Sequence, residues 1–262
     1  MFTKKNIHGI NVNCSDYTTA LAEVEQLVDN GKHSYVCFPD SNLFMLAMRN
    51  PDLKDILNRA DLTYPDGLSV QKMLKIRYGK CGERVTGPTF MLMAAEHGIP
   101  RHWKHFFYGG TPEVVEKLVD QLQKKFPGIE IVGHYSPPFR PLSEEETAEV
   151  KRQIESSGAD LLWVALGGGK QDRWMAENFD RIDVPVMLGV GAAFDFHSGN
   201  RAWAPKWIRD MGLEWLFRLF FGGWKTTCRN IHCVSSAAWI LTKDLVAYRL
   251  LGKGSRECEK SD

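Results

Sequence analysis

The feature that most constrains this chain is an alternation. From about residue 34 to residue 195, short β-type runs take turns with segments of helical periodicity. Ser34–Phe38, Leu62–Tyr64, Lys104–Tyr108, Ile129–Gly133, Leu161–Leu166 and Val184–Val190 are runs of strand length. Between them the spacing predicts helices over Asn42–Asn50 and Leu68–Ile76. A third opens at Thr111-Pro112, with Thr as cap and Pro at the first helical position, and ends at Phe126-Pro127-Gly128. A fourth opens on the capping box Ser143-Glu144-Glu145-Glu146 and stops at Gly158. Alternation of this kind requires crossover helices between parallel strands. The fold class expected is therefore α/β, a Rossmann-like parallel sheet with helices on both faces.

Near residue 200 the β-type runs cease and the chain becomes helical, which divides its 262 residues into a core over 1–200 and an appendage over 201–262. The charge divides there too. Residues 201–262 carry 11 Lys/Arg against 6 Asp/Glu, whereas residues 1–200 carry 22 against 26. Five of the eight tryptophans also fall in the appendage. A basic, Trp-rich segment is suited to an anionic membrane surface. A helical hairpin packed on the core or on a second subunit has the same composition, so homo-oligomerisation stays open. The formal net charge of +1 argues against a nucleic-acid partner held by phosphate neutralisation. Met1 to Asn13 lacks the apolar run of a signal peptide, and no stretch is long and apolar enough to span a bilayer. The six cysteines, without a Cys-x-x-Cys pair, read as reduced thiols of a cytoplasmic protein.

Three predicted strands end in glycine just before a helix: Tyr108-Gly109-Gly110-Thr111, Leu166-Gly167-Gly168-Gly169-Lys170 and Gly189-Val190-Gly191-Ala192-Ala193. Ligands of open α/β sheets bind at the carboxyl ends of strands, where glycine lets a backbone approach a phosphate. Gly109, Gly110, Gly167 and Gly191 are thus candidates for a nucleotide or sugar-nucleotide pocket. None of these loops has the Gly-x-Gly-x-x-Gly or Walker spacing, which disfavours dehydrogenases and kinases. Tyr64-Pro65-Asp66-Gly67 places a carboxylate at a strand-to-helix turn, where it can cap a helix or act as a general base. Gln171 opens the helix after the triple glycine, and Asp195 follows the last strand; an amide can read a base edge and a carboxylate a ribose hydroxyl. No histidine spacing and no Asp-x-Asp suggests a metal site. A metal-independent reaction needs cations for a diphosphate leaving group, and Arg201, Arg209, Arg218 and Arg229 are candidates. Arg218 lies four residues after Glu214, the spacing of a helix ion pair.

Over roughly residues 10–230 the chain resembles the WecG/TagA/CpsF glycosyltransferases, glycosyltransferase family 26. The resemblance rests on Ala60-Asp61-Leu62 with Pro65-Asp66-Gly67, Arg84-Val85-Thr86-Gly87, Tyr108-Gly109-Gly110 and Phe126-Pro127-Gly128 with Ile131-Val132-Gly133. It continues through Leu166-Gly167 with Lys170-Gln171, Gly189-Val190-Gly191 with Phe194-Asp195, Ala204-Pro205 with Trp207, and Gly212-Leu213-Glu214-Trp215 with Arg218. It implies an inverting, metal-independent transferase without a cofactor. The donor implied is a UDP-sugar and the acceptor a polyprenyl-diphosphate-linked saccharide on the cytoplasmic membrane face, in the synthesis of cell-surface polysaccharide. It also implies Asp66 as catalytic base, Gln171 and Asp195 in the nucleotide pocket, Arg84 near the donor, and cations and membrane contact from residues 201–253. Asn42 and Tyr135 join the substrate-side candidates.

The chain departs from the family pattern mainly on the sugar side. Phe38-Pro39-Asp40 stands where a Thr-x-Asn is frequent, and Thr89 where an Asp is common. The transferred sugar, N-acetylmannosamine-like or another hexose, is therefore left open; Asp40 disfavours an acidic one by repulsion. A UDP-sugar-binding regulator or scaffold without transferase activity would keep the same pocket and is the alternative.

Overall fold

A computed structural model describes residues 2–79, 81–211, 214, 216–217 and 238–250. The chain opens with an antiparallel hairpin, β1 (Lys4–Ile7) and β2 (Ile10–Asn13), turned at His8-Gly9 with both residues at positive φ. Then α1 (Tyr17–Asn30) runs from an Asp16 cap that accepts the Thr19 N–H to a left-handed Gly31. There follow β3 (Ser34–Cys37), α2 (Ser41–Arg49), α3 (Pro51–Arg59), β4 (Leu62–Thr63), α4 (Leu68–Tyr78) and α5 (Gly87–Gly98). The second half holds β5 (Lys104–Gly109), α6 (Pro112–Lys125), β6 (Glu130–Tyr135), α7 (Glu144–Ser156), β7 (Leu161–Ala165), α8 (Lys170–Asn178), β8 (Val186–Gly189), α9 (Ala193–His197) and α10 (Lys206–Asp210). The Ser143 capping box forms as its sequence predicts.

Six strands make one parallel sheet in the order β4-β3-β8-β7-β5-β6. Its side chains alternate between two buried faces. Tyr35, Cys37, Phe106, Tyr108, Leu162, Val164 and Met187 pack with α2, α3, α4, α7, α8 and the hairpin. Val36, Phe107, Leu161, Trp163, Val186 and Leu188 pack with α1, α5, α6 and α9. Burial on both faces is why the strands read as continuous apolar runs. The neighbours β5 and β7 send their following helices to opposite faces, α6 to one and α8 to the other, which opens a crevice at their carboxyl ends.

Two features differ from the sequence reading. Cys14 and Cys81 form a disulfide with Cα atoms 5.1 Å apart, so the reading of six reduced thiols is corrected. The fold brings the end of β2 against the loop after α4: Glu83 N–H donates to Ser15 O at 3.0 Å. Sequence spacing carries no trace of that approach. Cys37 is free and buried, and Cys228, Cys233 and Cys258 lie outside the described residues. The second difference is the hairpin, whose polar first strand hides a two-residue turn.

Beyond α10, residues 238–244 are helical and Leu245–Leu250 form a turn of π-helix that packs against α4. Ile240 enters the core. Beside it Arg77 donates through Nε and Nη2 to both Asp244 oxygens at 3.2 and 2.9 Å, and His8 closes the corner, Nε2 to Oδ2 at 3.2 Å. Arg77 and Asp244 side chains are only 8% and 4% exposed. Among the described residues no helix is long and apolar enough to cross a membrane.

Candidate active site

The turns after β3 and β4 build the acidic end of the site. Gly67 N–H donates to Pro39 O at 3.2 Å, and a Cβ on Gly67 would collide with the Ser41 backbone nitrogen. Glycine there lets the Pro65-Asp66-Gly67 turn lie on the Pro39-Asp40-Ser41 turn, bringing two aspartates to one cleft. Asp40 caps α2, its Oδ1 accepting the Leu43 N–H at 2.7 Å. Asp66 Oδ2 accepts the Gly87 N–H at 3.2 Å, at the start of α5. Tyr17 holds that helix start in place, its hydroxyl accepting the Thr86 N–H at 3.0 Å.

Both aspartates line a cleft of about 350 Å³ over β3, β7 and β8. Asn42, Gly167, Gln171, Gly191, Asp195 and Arg201 line it too, so eight of the predicted site residues converge there. Gln171 is 4% exposed; its Nε2 donates to Gly189 O at 2.7 Å, and its Oε1 is buried without a partner. A buried acceptor left open in a cleft needs a donor from a ligand or water. Asp195 Oδ1 accepts the Asn200 side-chain N–H at 3.0 Å. Asp172, the next residue on α8, is buried and accepts the Gly169 N–H at 3.0 Å, which fixes the glycine loop. Burial pushes its carboxyl up to about 6.

Burial also raises the Asp66 carboxyl to about 7. The Arg84 guanidinium opposes that rise, Glu214 and Asp40 add to it, and the Gly87 N–H opposes it. A carboxyl balanced near neutral pH in the lining of a cleft is suited to take a proton from a hydroxyl.

A second, wider cleft of about 1610 Å³ opens over the crevice between β5 and β7. Gly110 lines it, and Leu46, Ala165, Gly168 and Asp195 line both clefts, which are therefore continuous. Its outer wall is Pro137-Pro138-Phe139-Arg140, with Phe139 97% exposed.

Other predicted residues stand outside these linings. Gly109 packs against Ala165, where a Cβ would collide with the carbonyl oxygen, so its glycine serves the strand pair. Tyr135 ends β6 with its ring 6.0 Å from that of Tyr108. Arg209 lies 3.5 Å over the Trp203 ring and donates to Thr89 Oγ1 at 3.4 Å. Arg218 and Arg229 lie outside the described residues. Arg84 sits one step behind Asp66, its Nη2 donating to Glu214 Oε2 at 3.2 Å. Glu214 thus pairs across the fold, and the i,i+4 reading with Arg218 lies outside the described residues. The partners are 130 residues apart, so spacing could not reveal them. Among the described residues no three His, Cys, Asp or Glu side chains are placed to hold a metal ion.

Residues 5–249 match the model of the glycosyl transferase WecG/TagA/CpsF family. The chain belongs to this family. A protein of Bacillus spizizenii is 28% identical over 216 residues, covering 82% of each chain, and one of Bacillus subtilis is 25% identical over 222 residues, covering 84% and 85%. Both relatives carry the name N-acetylglucosaminyldiphosphoundecaprenol N-acetyl-beta-D-mannosaminyltransferase. Family membership accounts for the order of the matched turns along the chain, and the parallel sheet accounts for their meeting in space.

Proposed function

We propose that this glycosyltransferase moves an N-acetylhexosamine or related neutral hexose from UDP to a polyprenyl-diphosphate-linked saccharide, with inversion and without a metal ion. The observation that carries this reading is Asp66, balanced near neutrality in a cleft shared with Gln171, Asp195 and Arg201. Asp66 takes the proton of the acceptor hydroxyl as its oxygen attacks the anomeric carbon. The bond to the diphosphate breaks on the opposite face, and the leaving group carries away the electron pair. Arg201 supplies positive charge in that cleft, the open Gln171 oxygen accepts the uracil imide N–H, and Asp195 takes a ribose hydroxyl. The second cleft gives the remaining substrate length a place to lie. Relatives named for N-acetylmannosaminyl transfer to a lipid-diphosphate-linked N-acetylglucosamine support the same substrate classes.

The test is mass-spectrometric detection of transfer to a short-chain lipid-diphosphate-N-acetylglucosamine acceptor, from a panel of UDP-sugars, with EDTA present. Product from an N-acetylhexosamine donor is expected. The base must be ionised to act, so kcat/KM should fall as pH drops through about 7, where Asp66 gains its proton. UDP-sugar binding without transfer to any acceptor would instead favour a regulator or scaffold.

We also propose that the appendage meets the cytoplasmic membrane face where the lipid-linked acceptor resides. Trp207 and Met211 are 63% and 52% exposed, and they sit one helical turn apart beside Lys206 and Arg209. Aromatic insertion and basic attraction to anionic lipid act together in such a segment. Trp207→Ser combined with Met211→Ser should reduce flotation with anionic liposomes; flotation equal to wild type would rule this contact out.

A further inference from the structure

The general-base reading of Asp66 leaves a problem that the structure answers. A guanidinium stands close enough to Asp66 to stabilise its charge, and an aspartate captured by an arginine is a poor base. The Arg84 guanidinium is instead engaged by Glu214, at 3.2 Å, in a pair whose side chains are only 14% and 20% exposed. Glu214 lines the same cleft as Asp66 and comes from the C-terminal appendage, whereas Arg84 comes from the loop between α4 and α5. We propose that Glu214 is a positioning residue for the base: it occupies Arg84, and so keeps Asp66 out of an ion pair and able to accept the proton. The inference rests on the transferase reading and deepens it.

The surroundings of Asp66 are consistent with this division. Asp40 acts on it from the turn after β3, Arg84 from the loop before α5, the Gly87 N–H from the start of α5, and Glu214 from the appendage. Asp195 and Arg201, after β8, line the same cleft. Of these groups only Glu214 both holds the neighbouring cation and adds its own negative charge beside Asp66. Base strength therefore depends on the appendage being seated against the core.

The experiment compares full-length wild type with Glu214→Gln, Glu214→Asp and the double variant Arg84→Gln/Glu214→Gln. Two quantities are read: the acid limb of kcat/KM with the lipid-diphosphate acceptor, and the titration of the Asp66 carboxyl by carbon-detected NMR. In Glu214→Gln, both midpoints should fall by about one pH unit as Arg84 turns to Asp66. Plateau turnover should fall about tenfold. Glu214→Asp should keep the wild-type midpoints. The double variant, which removes captor and competitor together, should return the NMR midpoint toward wild type, a recovery that a merely structural role would not produce. Unchanged midpoints in Glu214→Gln, or a double variant as displaced as the single one, overturn the inference. A wild type without transfer activity would overturn the transferase reading, and the NMR titration would still decide the role of Glu214.

Discussion

Asp66→Asn should fold, bind UDP as wild type does and lose about 10²–10⁴-fold in turnover, the range for removal of a general base. Asparagine keeps the shape and can still accept the Gly87 N–H through its side-chain oxygen, so the turn over Ser41 is preserved. Only the capacity to take a proton is removed. The sign of the stability change gives an independent check. The folded-state carboxyl is raised to about 7, above its unfolded value, so its ionisation costs stability increasingly as pH rises from about 4 to 7. Above pH 7 the neutral variant should therefore unfold at a temperature no lower than wild type. A variant that is stable, binds UDP and turns over normally would remove Asp66 from the chemistry.

Arg77→Met should be the most damaging single change to the seating of residues 238–250. It leaves the Asp244 carboxylate, at a site only 4% exposed, with His8 in place of a full guanidinium partner, and breaking a buried ion pair from one side costs up to about 3–5 kcal/mol. The protein has an escape, because the segment holding Asp244 can leave the surface and return its charge to water. The loss in global stability is then limited by the docking energy of that segment, and the clearest readout is local. Limited proteolysis should cut near residues 238–250 faster in Arg77→Met than in wild type. Pairing the change with Asp244→Leu removes the stranded charge and should recover most of the resistance. Equal cleavage of wild type and Arg77→Met would mean that the Arg77–Asp244 pair does not hold the segment.

The parts of the fold that were legible in the sequence are those governed by local rules. The Ser143 capping box, the Pro112 helix start and the doubly buried strands each announce themselves within a few residues. Strand-end glycines and the Pro65-Asp66-Gly67 turn pointed to the carboxyl edge of the sheet, and a cleft there gathers Asp40, Asn42, Asp66, Gly167, Gln171, Gly191, Asp195 and Arg201. What escaped was decided by distance through space. Glu214 pairs with an arginine 130 residues away. The partners Cys14 and Cys81 are separated by 67 residues. Gly109 illustrates the opposite limit: a glycine in a loop of the right kind answers a neighbouring strand, and its adjacent Gly110 is the one that lines a cleft.

The position of β8 has a consequence for the continuity of the sheet. It is the last strand among the described residues, yet it lies in the middle of the sheet, hydrogen-bonded to β3 on one side and β7 on the other. Without residues 186–189 the sheet order has no strand to join β4-β3 to β7-β5-β6, and each would present an unpaired inner edge. The same strand ends in Gly189 and delivers Val190 and Gly191 to the cleft beside Gln171. The strand that closes the sheet thus also supplies part of the cleft lining, and Asp195, Arg201 and Glu214 follow it in the chain.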